Sequence, residues 1–315
     1  MTTTLPDKPV LAEGTGKPRR RLPFVESFTP YAYIAPFFVL FGIFGLLPFL
    51  FTFYVALFDW NPIGDQTFIG LDNFSRMLVD PRFWNATGNT VSIWLLSTIP
   101  QLALALLLAH VLNHARLRFA LFFRMAMLVP YITSVAAAAV VFAQLFDRNY
   151  GLLNWLLGFV GIEPIDFVQS TWGSHLLIAV MVAWRWFGYT TLLYLASLQA
   201  VPRDVYEAAS IDGAGGWKQF VHITIPSLRP VIIFTVVTST IGGLQIFTEP
   251  LLISPGALTC GPVRQCQTLS LFLYEQGFGQ YEFGYGSAIG VALFVMVIVA
   301  AAINYLLSSR IRAER

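Results

Sequence analysis

Six stretches of the chain are apolar for long enough to cross a bilayer, and short polar segments separate them. They run over residues 31–58, 88–112, 121–146, 174–200, 230–250 and 284–308, each meeting or approaching the roughly 20 residues that a hydrocarbon core of about 30 Å requires of a helix. The pattern predicts six transmembrane helices. Pro36 and Pro48 in the first, Pro100 in the second and Pro130 in the third are read as kinks rather than boundaries, because neighbouring helices can satisfy the carbonyls that proline frees. The run from Tyr31 to Phe58 carries no charge over 28 residues and has no A-x-A cleavage site. It is therefore read as an uncleaved span, although Arg19, Arg20 and Arg21 precede it in the manner of a signal peptide. Residues 1–30, polar and rich in Pro, Gly, Lys and Arg, are expected to form a disordered tail ahead of one membrane domain over 31–310.

Charge settles which way the spans are expected to run. Fourteen of the 19 Lys and Arg fall in the tail, the second loop, the fourth loop and the C-terminus. Four (Arg76, Arg82, Arg148 and Arg264) fall on the other side, and Arg185 lies inside a span. Lys and Arg favour the cytoplasmic side, so both termini are expected there. The fold class predicted is all-α, a polytopic membrane protein of six transmembrane helices. Composition agrees: 56% of residues are hydrophobic and 11% charged, with a mean hydropathy of +0.66, which excludes an ordinary soluble enzyme of this size. The net charge of +2 forms no patch that would bind nucleic acid.

The outer loops, about 59–87, 147–173 and 251–283, carry Trp60, Trp84, Tyr150, Trp155, Trp172, Tyr274 and Tyr281 near the span ends. Such aromatics anchor helices at the lipid interface. Cys260 and Cys266, the two cysteines of the chain, both fall in the last outer loop as CGPVRQC. An oxidising exterior permits a disulfide there, with Gly261 and Pro262 making the turn; two free thiols are the alternative.

The fourth loop is not a simple connector. Residues 201–230 read VPRDVYEAASIDGAGGWKQFVHITIPSLRP. Pro202 can open a helix in which Val205, Ala208 and Ala209 recur at helical spacing, flanked by Ile211, and Gly213 is placed to end it. Gly215 and Gly216 allow a bend before a second short turn containing Trp217, Phe220 and Val221. Ala208 and Ala209 would let another surface approach closely, and Glu207 offers a carboxylate to an arginine on it. A helix lying on lipid is the alternative.

This loop resembles the EAA loop of ABC importer permeases. The family pattern is Glu-Ala-Ala, three residues, Gly, nine residues, Ile, one residue, Leu-Pro. The chain supplies Glu207, Ala208, Ala209, Gly213, Ile223 and Pro226, with Ile225 in place of leucine. Other stretches are similar to the same carbohydrate-uptake group, related to the larger permease subunit of the maltose transporter: FIGLDNF at 68–74 followed by Asn89-Thr90, FFRMAMLVPY at 122–131, GLLNWLL at 151–157 and LQAVPRDVYEAASIDGAG at 198–215. The resemblance implies that the coupling loop, 201–229, seats in a cleft of a cytoplasmic ATPase. It also implies a second permease subunit, two ATP-binding subunits that carry ATP and magnesium, and an extracytoplasmic sugar-binding protein or lipoprotein. No cofactor is expected on this chain, which has no P-loop of its own: Gly16-Lys17 is followed by Pro18. The stretch LTCGPVRQCQTLSLFLYEQGF at 258–278 resembles loops of disaccharide permeases, which implies a cellobiose-like or other β-glucoside cargo. Glycerol-3-phosphate is the alternative inside the family.

Charges within spans are default functional candidates. Arg185 sits near mid-span in AWRWFGY, with Trp184, Trp186 and Tyr189, and Gln245 and Glu249 stand near the outer end of the fifth span. Aromatic faces with polar neighbours are suited to sugars, so these six are candidates for the substrate path; the alternative is that Arg185 pairs with Gln245 or with carbonyls to hold the bundle. His110, His114, His175 and His222 are scattered, with no metal-ligand spacing. Asp204, Glu207 and Asp212 are the cytoplasmic acidic cluster that a membrane-embedded enzyme would need, and their fit to the loop pattern argues against one. A channel or secondary transporter working without an ATPase is the remaining rival.

Overall fold

The computed structural model describes residues 23–62, 64–114, 120–254 and 256–313 and is mostly helical, with 76% helix and 2% strand. The chain divides into two units between Phe51 and Thr52. The first contains α1 (Pro23–Phe41), a π-helical turn at Gly42–Leu46 and the start of α2 (Leu47–Val55). Its helix begins at Pro23 rather than at 31, and proline suits a first helical position, where its missing N–H would be unpaired anyway. The rest of the expected tail, residues 1–22, lies outside the described residues.

The second unit opens with a hairpin that the sequence reading did not foresee. Strands β1 (Phe58–Trp60) and β2 (Gln66–Phe68) pair antiparallel with Phe58 opposite Phe68. Then come α3 (Asp72–Val79), α4 (Pro81–His114), α5 (Ala120–Ile132), α6 (Val135–Leu145), α7 (Leu152–Gly158) and α8 (Thr171–Leu198). The remaining elements are α9 (Arg203–Ile211), α10 (Gly216–Gln219), a π-helical turn at Phe220–Thr224, α11 (Ile225–Leu244), α12 (Thr248–Ile253), α13 (Leu269–Tyr274), a third π-helical turn at Glu275–Gly279 and α14 (Phe283–Ala313). Among the described residues, five helices are long and apolar enough to cross a membrane, and a sixth crossing is made if α5 and α6 count as one.

Two predicted spans are broken. α5 and α6 meet at 92°, where 121–146 reads as continuous. Pro130 cannot donate to the carbonyl one turn back, Thr133 Oγ1 donates to Val129 O at 2.6 Å, and Ser134 turns out of helical geometry at ψ 132°. The fifth span ends at Leu244, so Glu249 sits on the separate helix α12 and not on the span itself. Here Pro250 withholds the N–H that a continuous helix would give Ile246, and Thr268 Oγ1 serves that carbonyl instead, at 2.8 Å.

α4 lies along α8, and α11 packs on both and on α14. With lipid tails as apolar as leucine, such association rests on close packing of small residues. Ala105 and Ala109 of α4 are fully buried against Tyr194, Leu195 and Leu198 of α8 and Leu228 of α11. Gly188 brings α8 against α5 so closely that an added Cβ would overlap the Met127 carbonyl.

The cysteine loop is knotted into the bundle. Cys260 and Cys266 are buried and joined as a disulfide, with Cα atoms 5.2 Å apart. Asn85 and Asn89 of α4 each donate to Arg264 O at 2.9 Å, Thr90 Oγ1 accepts from Leu269 N at 2.8 Å, and His175 of α8 bridges Ser92 Oγ and Gln265 O. Asn73, in the FIGLDNF stretch, donates to Ala56 O and Phe58 O and so fastens the hairpin to α3. Within the loop, Arg264 Nη2 donates to Glu275 Oε1 at 2.9 Å and Gln267 Nε2 to Glu275 Oε2 at 2.7 Å. Burial would raise the Glu275 carboxyl, but the bonds from Arg264 and Gln267 and the charges of Arg264 and Arg82 outweigh it and hold the group below its ordinary value. The stability this carboxylate contributes is complete above the ordinary pKa and is lost as pH falls through the lower folded-state value. The unfolding midpoint of the detergent-solubilised protein is therefore expected to drop on acidification below about pH 4.5, and Glu275→Gln to flatten that limb. An acid limb unaltered by the substitution would remove Glu275 from the account.

Candidate functional site

A cavity of about 340 Å³ opens between α4, α8, α11 and α12. Arg185, Trp186 and Tyr189 reach it from α8, where one helical turn separates Arg185 from Tyr189. Glu249 enters from the first turn of α12, and Gln245 from the break before it. Arg185 Nη1 donates to Glu249 Oε1 at 2.9 Å, and both side chains are nearly buried. Arg185 Nε is buried with no hydrogen-bond partner. A buried ion pair of this kind is weak evidence for stability, since desolvation offsets much of the attraction. Tyr131 of α5 stacks on Tyr189 with centroids 5.0 Å apart and meets Trp186 edge-on at 5.2 Å, so three rings stand together beside the charged pair. Gln101 of α4 donates to Thr190 Oγ1 at 2.9 Å across the α4–α8 seam.

The second feature is the loop between α8 and α11. α9 begins after Pro202, and its one buried residue is Tyr206. Gly213 has φ +77°, the left-handed conformation that glycine reaches without a Cβ penalty, and Ala214 N bonds back to Ala209 O at 2.8 Å, closing the helix end. Tyr206 Oη and Thr224 Oγ1 are 3.1 Å apart, and Thr224 Oγ1 is 2.9 Å from His110 Nδ1 near the end of α4. Gln219 Nε2 donates to Ser210 Oγ at 2.8 Å and to Ala214 O at 3.0 Å. The face of α9 that packs inward is thus that of Tyr206 and the half-buried Ala209; Val205 and Ala208 are exposed, and so is Ser210 although Gln219 bonds to it. Glu207, Ala208 and Ile211 are exposed.

Residues 81–313 match the family model for the binding-protein-dependent transport system inner membrane component. The chain belongs to that family. Among relatives of this ABC importer permease, the arabinooligosaccharides transport system permease protein AraP of Bacillus subtilis is 34% identical over 94% of this chain and 93% of its own. The lactose transport system permease protein LacF of Rhizobium radiobacter is 35% identical over 87% and 92%, and the trehalose/maltose transport system permease protein MalF of Thermococcus litoralis 32% identical over 93% and 98%. A bacterial ABC transporter involved in alginate import shares the fold, with a TM-score of 0.78 at 21% identity over 91% of this chain and 98% of that one. The permease is a multi-pass inner-membrane protein.

Of the six substrate-path candidates in the permease, five line the cavity: Arg185, Trp186, Tyr189, Gln245 and Glu249. Trp184 does not; it packs on Phe142 with centroids 5.4 Å apart, because it points from a different side of α8 than Trp186. The partner of Arg185 is Glu249 and not Gln245. In the loop, Ile223 in the π-helical turn and Pro226 at the start of α11 are half-buried, while Ala209 is half-buried beside the exposed Glu207 and Ala208. Tyr131, Tyr206, Gln219, Thr224 and His110 were missed. The available signal for His110 and Thr224 was faint: one imidazole near the end of an apolar run, and one hydroxyl just before Ile225-Pro226.

Proposed function

We propose that the permease is one half of the membrane pathway of an ATP-driven, binding-protein-dependent importer of a di- or oligosaccharide. The observation that carries this reading is the Glu207–Pro226 pattern on an exposed helix-glycine-helix. Glu207, Ala208 and Ile211 face outward, as a helix that seats in a cleft of an ATPase must. In this reading both termini are cytoplasmic, α5 and α6 together make the third of six crossings, and residues 201–229 are the coupling loop. A second permease completes the pathway, two ATP-binding subunits carry ATP and magnesium, and an extracytoplasmic binding protein delivers cargo to the loops at the disulfide end.

The saccharide assignment draws on the relatives, whose names specify arabinooligosaccharides, lactose and trehalose/maltose, and on the aromatic cavity. Among saccharides, a cellobiose-like or other β-glucoside is favoured by the 258–278 stretch. A phosphate ester such as glycerol-3-phosphate would want several cavity cations. Among the described lining residues Arg185 alone is cationic, and Glu249 already occupies it. In proteoliposomes holding all four kinds of subunit, Arg185→Ala is expected to cut labelled-sugar uptake by about tenfold or more while the assembly is recovered intact. Loss of the assembly would make Arg185 structural, and sugar uptake by the permease without any ATPase would overturn the importer reading.

A further inference from the structure

The cavity holds a cation, yet its lining carries no net charge. Arg185 and Glu249 are the charged residues among those that line it, and they face one another at 2.9 Å. One guanidinium nitrogen, Nη1, is spent on Glu249, and Nε is buried out of a ligand's reach, while Nη2 is not buried and makes no hydrogen bond to another described residue. The pair therefore presents donors that remain free beside a carboxylate that can still accept. Each hydroxyl of a sugar both donates and accepts, so a vicinal diol matches this edge hydroxyl by hydroxyl. A carboxylate or phosphate does not. It would need Arg185 for itself and would meet Glu249 at close range in a partly dry cavity, where like charges are least screened. The rest of the lining adds no compensating charge: Thr98, Ser239, Gln245 and Thr248 offer neutral polar groups without a side-chain hydrogen bond to another described residue.

We propose that Glu249 is a specificity-determining residue, which occupies Arg185 and thereby restricts this cavity to uncharged saccharides. The inference rests on the saccharide reading of the same cavity and adds the charge class of the cargo and the residue that sets it. In the wild-type protein Glu249 acts in two ways, as acceptor for a cargo hydroxyl and as repulsive neighbour to an anionic one. Without it Arg185 would be an unpaired buried cation, and an acidic sugar would become its best available partner.

The experiment compares neutral gluco-disaccharides and trisaccharides with analogues in which a terminal hydroxymethyl is oxidised to a carboxylate. Radiolabelled pairs are measured by equilibrium dialysis against the assembled transporter, free of nucleotide and binding protein, so that the cavity and not the binding protein makes the choice. The wild type is expected to prefer the neutral member by at least about tenfold. Glu249→Gln should invert or abolish that preference by tightening the acidic member. The double variant Arg185→Gln/Glu249→Gln, which is neutral again, should lose the gain for the acid, so the effect belongs to the released cation and not to a loosened cavity. Glu249→Asp should keep the wild-type order and serves as the variant that retains the charge. A neutral-to-acidic ratio that is the same in Glu249→Gln as in the wild type, with neutral sugar still bound, overturns the specificity role and leaves the saccharide reading standing. No sugar retained by any of the proteins overturns the saccharide reading, and the inference with it.

Discussion

Gly213→Pro is expected to reduce uptake by the reconstituted transporter to background while the permease still inserts in the membrane. Proline fixes φ near −65°, and Gly213 stands at +77°. The substitution also removes the Gly213 N–H that donates to Ser210 O at 3.1 Å, and the local cost is about 3 kcal/mol or more. That energy does not fall on a transmembrane helix. It falls on the end of α9, which must unwind or turn, carrying Glu207 and Ala208 away from the direction in which a cleft on the ATPase would receive them. Gly213→Asn, which tolerates the left-handed conformation, should retain much of the uptake. Comparing the two by uptake and by recovery of the ATPase on the purified permease is decisive. Normal uptake in the proline variant would sink the coupling role of this loop.

The second large effect concerns the bundle. Gly188→Leu is expected to lower stability by about 3 kcal/mol or more, seen as a fall in the unfolding midpoint in detergent and reduced yield of folded protein. The neighbour that a Cβ would strike is the backbone of Met127, whose Cα lies 3.1 Å from the added atom, and backbone cannot rotate away as a flexible side chain would. α5 would have to move off α8, and with it Tyr131 from Trp186 and Tyr189. Gly242→Ala supplies the contrast: Gly242 lines the Arg185–Glu249 cavity, an added Cβ there meets nothing within 4 Å, and the stability of the variant should stay within about 1 kcal/mol of wild type. Equal midpoints for Gly188→Leu and the wild type would show that the packing at Met127 is looser than the geometry implies.

What could be read from the residues alone depended on whether a signal is carried by a run or by a single contact. Thr171–Leu198 and Phe283–Leu306 are apolar over 28 and 24 residues, a length that only a span or a large buried core demands, and both were legible. So was the helix, glycine corner and second helix of residues 203–219, because spacing survives without knowledge of what touches what. The breaks were not. Pro130 reads as a tolerable kink and Pro250 as the last residue of a span, and whether a proline kinks or breaks a helix is decided by which group satisfies the freed carbonyl; for Ile246 that group is Thr268, distant in sequence. Arg185 and Glu249 each stood out as charges in apolar surroundings, but their meeting spans 64 positions and follows from the packing of α12 against α8 after the break. The Tyr206–Thr224–His110 chain was hidden for a related reason, since one polar group at the end of an apolar run has no period to betray it.

The π-helical turn at Phe220–Thr224 gives the loop a further property. Such a turn spends more residues on each revolution than an α-helical turn does, so it works as an inserted spacer between α10 and α11. Each residue advances an α-helix by about 100°, so loss of one residue at this place would swing everything before it, α9 included, about a quarter of a revolution around the axis of α11. Glu207 would then face the lipid headgroups or the core of the bundle with every side chain of the loop intact. The bearing of α9 is thus set by a count of residues. A lineage that shortened this turn by one would have to recover the direction elsewhere in the chain.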